Sequence, residues 1–234
     1  MKTKREAMYR AIIKYLFVIL LIIPIFADNY YSEYQQDEFL NKNTFHGKKE
    51  GVFVDIGAYD GILASNTYFF EKNLGWTGIC VEPLDNAYAN LIKNRKCICV
   101  HGAVSACAEI RDFVEVHGRI PTFSGFLNTY HKKHWSRVNT ILEKQSHKWS
   151  IIKVKTFTFN DLCKKYKLNH IDYLSIDTEG SEEEIIKSID FKNIDINVID
   201  IENNYGNTTM RHYLESNGYK FITHLKIDDI YVKN

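Results

Sequence analysis

From Gly51 onward, apolar runs rich in strand-forming residues alternate with stretches whose apolar positions recur at helical spacing. The run VFVDI (52–56) precedes a helical stretch from Leu63 to Asn73. TGICVEP (77–83), a helix from Asn86 to Asn94 and KCICVHGAV (96–104) follow, completing a βαβαβ half. EIRDFVEVHG (109–118) predicts an extra strand, His117 to Trp149 an irregular segment, and IIKVKTFTF (151–159) a strand by its alternation. The regular beat then resumes: a helix from Asp161 to Tyr166, the strand IDYLSIDT (171–178), a helix from Glu182 to Ser188 and the strand INVIDIEN (196–203). A helix from Thr208 to Asn217, stopped by Gly218, leads to YKFITHL (219–225) and IDDIYV (227–232). Several strands are apolar throughout, as a parallel sheet covered on both faces requires. The expected fold is a doubly wound α/β sheet, mostly parallel, with an antiparallel strand near the C-terminus.

The first residues stand apart from this pattern. Lys2, Lys4, Arg5, Arg10 and Lys14 precede an uncharged run from Tyr15 to Ala27, after which the chain turns polar. That arrangement predicts a targeting segment over 1–27. It is short for a bilayer-spanning helix of about twenty residues and suits a signal peptide, but with Ala11 to Ile13 added it reaches the length of a tilted membrane anchor. Either reading places a single domain over 28–234 on the non-cytosolic side, in the secretory pathway or anchored to a membrane.

Composition narrows the partners. With 30 basic and 29 acidic residues among 234, the net charge of +1 argues against a nucleic-acid binder that relies on a general basic excess. Five cysteines form no even framework and no zinc spacing, so free thiols and no structural metal are expected.

Candidate chemistry sits at the strand ends. In open α/β sheets ligands lie beyond the carboxyl edge, and β-strand VFVDI ends there in Asp55-Ile-Gly57, with Gly61 four residues on. The glycines permit a tight turn and close approach of backbone, and the helix expected next offers its N-terminal dipole. Gly-x-x-x-Gly is not the pyrophosphate-gripping pattern, and no Gly-Lys-Ser/Thr follows, which weakens a nicotinamide-dependent oxidoreductase. Glu82, ending the next strand, is placed to accept from ribose hydroxyls. A ligand joining an amino acid to a nucleoside follows.

VFVDIGAYDG, GWTGICVEPL, HGAVS and DYLSIDTEGSEEEII, in this order, resemble the FkbM family of S-adenosylmethionine-dependent methyltransferases. YSEYQQDEFL and FHGKKEGVFVDIGAYDG upstream are similar to a subset of that family. The resemblance spans Tyr31 to Asn204 and implies a Rossmann-like methyltransferase sheet. It also implies S-adenosylmethionine as cofactor, with Asp55, Gly57 and Gly61 at its methionine part, Glu82 at its ribose, and Ala103 to Ser105 bordering the adenine.

Asp177 and Glu179, in IDTEGSE at another strand end, are the candidate catalytic carboxylates, and the glutamates at 182, 183 and 184 read as favourable charges at a helix start. Glu202 and Asn203 end the next strand and also face the cleft edge. Residues 117–150 are expected to form a lid-like insertion whose Tyr130, Trp135 and Trp149 stack on sugar rings. His131 and His134, one turn apart, read as basic surface rather than a metal pair. The resulting expectation is methyl transfer to a hydroxyl of a glycan or small metabolite, with Asp177, Glu179 or a lid histidine as base. The alternative is a membrane-tethered interaction or trafficking module that retains the fold without turnover.

Overall fold

A computed structural model of the protein describes residues 29–118, 121–129, 132–145 and 148–234, without the side chains of 132–134, 137, 141, 144 and 145. The expected targeting segment, Tyr130, His131 and His147 lie outside the described residues. Among the described residues no helix is long and apolar enough to cross a membrane.

The chain runs α1 (Gln36–Leu40), β1 (Val52–Ile56), α2 (Tyr68–Leu74), β2 (Thr77–Glu82), α3 (Asp85–Asn94) and β3 (Ile98–His101). It continues through β4 (Ala103–Val104), β5 (Ile110–Val116), β6 (Gly125–Phe126), α4 (Lys132–Gln145), β7 (Trp149–Phe157), α5 (Phe159–Tyr166) and β8 (His170–Ile176). Last come α6 (Glu182–Ser188), β9 (Asp195–Glu202), α7 (Thr208–Ser216), β10 (Tyr219–Leu225) and β11 (Asp228–Lys233).

Seven strands form the main sheet in the order β10-β11-β9-β8-β1-β2-β3. β11 alone opposes its neighbours, pairing antiparallel with both β9 and β10, while the other pairs are parallel. This is the doubly wound, mostly parallel sheet expected, with its antiparallel strand at the C-terminus. β1 and β8 occupy the centre, so both are covered on two faces and carry few exposed side chains. One face packs Val54, Ile56, Ile79, Val81, Leu174 and Ile199 against α5, α6 and α7. The other packs Phe53, Cys80, Tyr173 and Val198 against Phe69, Phe70, Leu40 and Trp76. Each fully buried Phe or Leu there stabilises the fold by roughly 1.5–3 kcal/mol.

Three local expectations are corrected. The helix after β1 begins at Tyr68 rather than Leu63. Tyr59, Gly61 and Ala64 take positive φ, and Asp60 Oδ1 accepts from the N–H groups of Ile62 and Leu63 at 2.9 and 2.8 Å, so the intervening chain is a bent loop. KCICVHGAV is not one strand. Gly102, at φ 142, turns the chain out of the main sheet, and a Cβ there would lie 2.6 Å from Lys155 O. The segment His117 to Trp149 is not irregular throughout, since it contains a one-turn helix (Pro121–Phe123), β6 and α4. β6 completes a second sheet, β4-β7-β5-β6, that the sequence reading did not anticipate.

Candidate active site

Side chains alternate along each central strand, and the same face turns from apolar to acidic as it approaches the carboxyl edge. Phe53 is followed by Asp55, Cys80 by Glu82, Tyr173 by Ser175 and Asp177, and Val198 by Asp200 and Glu202. Around this edge lies a cavity of about 260 Å³. Its floor is the carboxyl end of β1, β2 and β8; Phe113 and Phe126 of the second sheet, with Phe123, form an apolar wall, and Glu33 and Tyr34 close it from the N-terminal side.

Asp55, Gly57, Glu82, Asp177 and Glu179 all line this cavity, joined by Glu202, Asn204, Asn66 and Ser175. Gly57, at φ 92, is required by proximity: a Cβ there would lie 1.8 Å from Asp177 O, so only glycine lets β1 and β8 end side by side. Gly61 and Ser105 are not in the lining. Gly61 makes room for Arg95, whose Cγ would lie 2.6 Å from an added Cβ. Ser105 is buried beside α6, bonded to Glu184 Oε1 at 3.0 Å and to Arg111 at 2.8 Å, which ties the second sheet to the main one; Ala103 and Val104 reach the cavity in its place.

The helix expected directly after the glycine turn begins only at Tyr68, and the N–H groups of the turn itself are bonded within the protein. Tyr59 N–H donates to Glu82 Oε2 at 2.9 Å and Leu84 N–H to Oε1 at 2.8 Å, fixing the Glu82 carboxylate with lone pairs left to face the cavity. Burial pushes the Glu82 carboxyl up to about 7, against the lowering effect of those two bonds.

Asp55 Oδ2 accepts from the Thr67 hydroxyl at 2.6 Å. Thr67 in turn accepts from Arg95 at 2.9 Å, and Arg95 donates to Glu71 at 2.7 Å and to Gly61 O at 3.2 Å. This buried arginine, which follows α3 without any motif, fastens the loop 57–67 to β1, and its spacing in the sequence carries no signal of that. Burial raises the Asp55 carboxyl, and Arg95 opposes the rise.

Asp177 is exposed to solvent within the cavity, though deep among surrounding protein and acidic neighbours. Burial, then the charges of Asp228, Glu182, Asp55 and Glu33, hold its carboxyl well above the usual range. Glu202 is raised likewise by burial and by Asp177 and Glu179. Asp177, Glu179 and Glu202 bring carboxylate oxygens within 4.8 Å of one another, a grouping of hard oxygen donors that Cys and His spacing does not foreshadow. Glu182 is committed elsewhere, accepting from Thr178 and Gly180 N–H at 2.9 and 3.0 Å, and Asn203 holds Asp229 and Asn207. Trp135 packs on Trp149, with ring centroids 5.5 Å apart, and on the Val114 and Val116 cluster instead of entering the cavity; Pro121 to Ser124 and Phe126 are the part of the insertion that does. His117 bonds Ser150 Oγ and is absent from the lining.

The cavity's chemistry fits one kind of ligand. Six carboxylates line it (Glu33, Asp55, Glu82, Asp177, Glu179 and Glu202), and among the described lining residues there is no Lys, Arg or His. Such a site repels phosphates and attracts a cation that also carries hydroxyls. Residues 55–221 match the family described as the methyltransferase FkbM domain, and the chain belongs to that family. It is an S-adenosylmethionine-dependent methyltransferase. In overall structure it is similar to fibrillarin from Aeropyrum pernix in complex with S-adenosyl-L-methionine (10% identity, 86% of this chain and 74% of that one, TM-score 0.47). It is also similar to precorrin-6y C5,15-methyltransferase from Geobacter metallireducens (11%, 85% and 87%, 0.43) and to M. capricolum TrmK in complex with S-adenosyl-homocysteine (15%, 87% and 68%, 0.42). No curated protein matches the chain.

Cofactor binding is expected to depend on pH through Glu82. If Glu82 takes the two ribose hydroxyls that the resemblance implies, only its ionised form can accept from both, so binding should release a proton wherever the free protein holds Glu82 as the acid, below about 7. The affinity for S-adenosylmethionine should fall about tenfold from pH 7.5 to pH 6, and titration calorimetry in buffers of different ionisation enthalpy should register the released proton. Glu82→Gln should bind about ten- to a hundredfold more weakly at pH 7.5 and lose that pH dependence. A variant that keeps the wild-type slope would assign the titration to another carboxylate.

Proposed function

We propose that the protein transfers the methyl group to a hydroxyl of an uncharged glycan or small metabolite. The observation that carries this reading is the cavity itself, acidic throughout with no cation among its described lining residues, a surface hostile to a nucleic-acid backbone and indifferent to neutral hydroxyls. The carboxylate end is suited to receive a proton, because Asp177 is open to the cavity and its neighbours make it more basic than an ordinary carboxylate.

When bound, S-adenosylmethionine supplies a methyl group already activated on a sulfonium sulfur. The residues of this chain then have three tasks. Glu82, clamped by Tyr59 and Leu84 N–H, orients the ribose, and Asp55 lies at the aminoacyl part. The aromatic wall of Phe113, Phe123 and Phe126 supplies an apolar slot and excludes water on the second-sheet side. Asp177, with Glu179 and Glu202 beside it, accepts the proton of the acceptor hydroxyl, so most of the rate comes from alignment and proton removal.

The test is turnover by the full-length chain against two panels, sugars and hydroxylated small molecules on one side and RNA on the other, following formation of the demethylated cofactor. Methylation confined to hydroxyls of the first panel is the expected result. Methylation of RNA, or of a nitrogen in either panel, would overturn the reading.

A further inference from the structure

The cofactor residues named so far leave the amino group of the ligand without a neutral acceptor, and the cavity contains one. Asn66 is 9% exposed and lines the cavity, yet its Oδ1 has no hydrogen-bond partner. A buried carbonyl oxygen is unfavourable in that state until a donor reaches it. Its other end is fixed, since Nδ2 donates to Ser175 Oγ at 3.1 Å. The flanking residues are pinned too: Thr67 holds Asp55 and is held by Arg95, and Ser65 Oγ accepts from Tyr68 N–H at 3.1 Å. The orientation of Asn66 is therefore set before any ligand arrives.

Two features say what it meets. Strand order places β1 between β8 and β2. Glu82 ends β2, and Asn66 leans on Ser175 of β8, so the two side chains stand on opposite sides of the Gly57 turn. If the ribose is over Glu82, the group extending across Gly57 toward β8 is the aminoacyl end. That end offers a donor, the α-ammonium, and an acceptor, the α-carboxylate. With Nδ2 already bonded to Ser175, Asn66 presents an acceptor, which is matched by the ammonium and repelled by the carboxylate.

We propose that Asn66 Oδ1 accepts a hydrogen bond from the α-ammonium of S-adenosylmethionine, making Asn66 a specificity residue for the aminoacyl part of the cofactor. The assignment rests on the cofactor reading above, and three probes keep the two separable: S-adenosylmethionine, its decarboxylated form, which keeps the amine, and 5′-methylthioadenosine, which lacks the aminoacyl group. Calorimetric titration of the full-length chain and of Asn66→Ala is expected to give an affinity loss of about ten- to a hundredfold for the first two and no change beyond about twofold for the third. A loss that vanishes with decarboxylated S-adenosylmethionine would assign Asn66 to the carboxylate, and an equal loss with all three would make it a structural support of the loop; either overturns the proposal. Wild-type protein that binds none of the three would instead overturn the cofactor assignment. Should Asn66→Ala fail to fold, Ser175→Ala frees the amide without removing it, and the expected result is the same probe pattern with a smaller loss; a uniform or absent effect counts against the proposal.

Discussion

Asp177→Asn should lower turnover by about a hundredfold or more while S-adenosylmethionine affinity stays within about threefold. The substitution keeps shape and volume and removes the group proposed to take the acceptor proton. Asp177 faces the cavity beside Gly57, and its carboxyl is raised by burial and by the charges around it, so wild-type turnover should climb with pH as that carboxyl ionises. The variant should lose this rise. Stability moves the other way. A carboxyl raised in the folded state contributes stability that is fully present below its unfolded value of 3.8 and is lost as pH rises through the folded value. Asp177→Asn escapes that loss, so in chemical denaturation it should be more stable than wild type at pH 8 and no more stable at pH 4. A chelator should leave wild-type turnover unchanged; activity that disappears and returns with magnesium would reassign Asp177, Glu179 and Glu202 to cation binding. Turnover that survives Asp177→Asn would pass the role of base to Glu179 or Glu202, tested by Glu179→Gln and Glu202→Gln.

The main sheet was legible because its physics is local. Period-two alternation and apolar runs announce each central strand, and the acidic residue two positions after an apolar one, as in Phe53 to Asp55 or Cys80 to Glu82, already shows that a single face changes character at the edge. The antiparallel end was legible for the same reason, since two strands joined by two residues can only form a hairpin. What escaped depends on contacts distant in sequence. Nothing near Gly102 says that the chain will leave one sheet for another, because that follows from Lys155 and Phe157 pressing on it. The spacing of Gly61 makes it a candidate ligand glycine, and nothing local shows that its missing side chain makes room for Arg95, thirty-four positions along. Within the segment Ala103 to Ser105, Ala103 and Val104 face the cavity, whereas Ser105 is turned toward Glu184 and Arg111, partners distant in sequence. Asn66 gave no signal at all, since an asparagine in a loop is ordinary until its burial and its bond to Ser175 are known.

Arg95→Ala should cost about 3–5 kcal/mol of stability, a large share of the roughly 5–15 kcal/mol that holds a domain together. The side chain is almost wholly buried and bonds Glu71, Ser65, Thr67 and the Gly61 carbonyl, with its guanidinium 5.1 Å from the Phe53 ring centroid and Asp55 Oδ2 3.9 Å away. Removing it leaves two carboxylates, Asp55 and Glu71, facing a cavity with no cation. Protonation relieves part of that cost. Without the arginine the Asp55 carboxyl rises further above 3.8, so the stability its neutral form retains is present at low pH and lost as pH increases through the new value. The destabilisation should therefore be smaller at pH 4 than at pH 8 in urea denaturation. Arg95→Lys keeps the charge but cannot reach Glu71, Gly61 and Thr67 at once, and should fall between wild type and Arg95→Ala. The loop 57–67 orients both Glu82, through Tyr59 N–H, and Asn66, so even the folded fraction of Arg95→Ala should bind S-adenosylmethionine at least tenfold more weakly. A cost below about 1 kcal/mol at pH 8 would mean that water replaces the guanidinium and that the loop is held by its own turns, with Asp60 as the cap that sustains it.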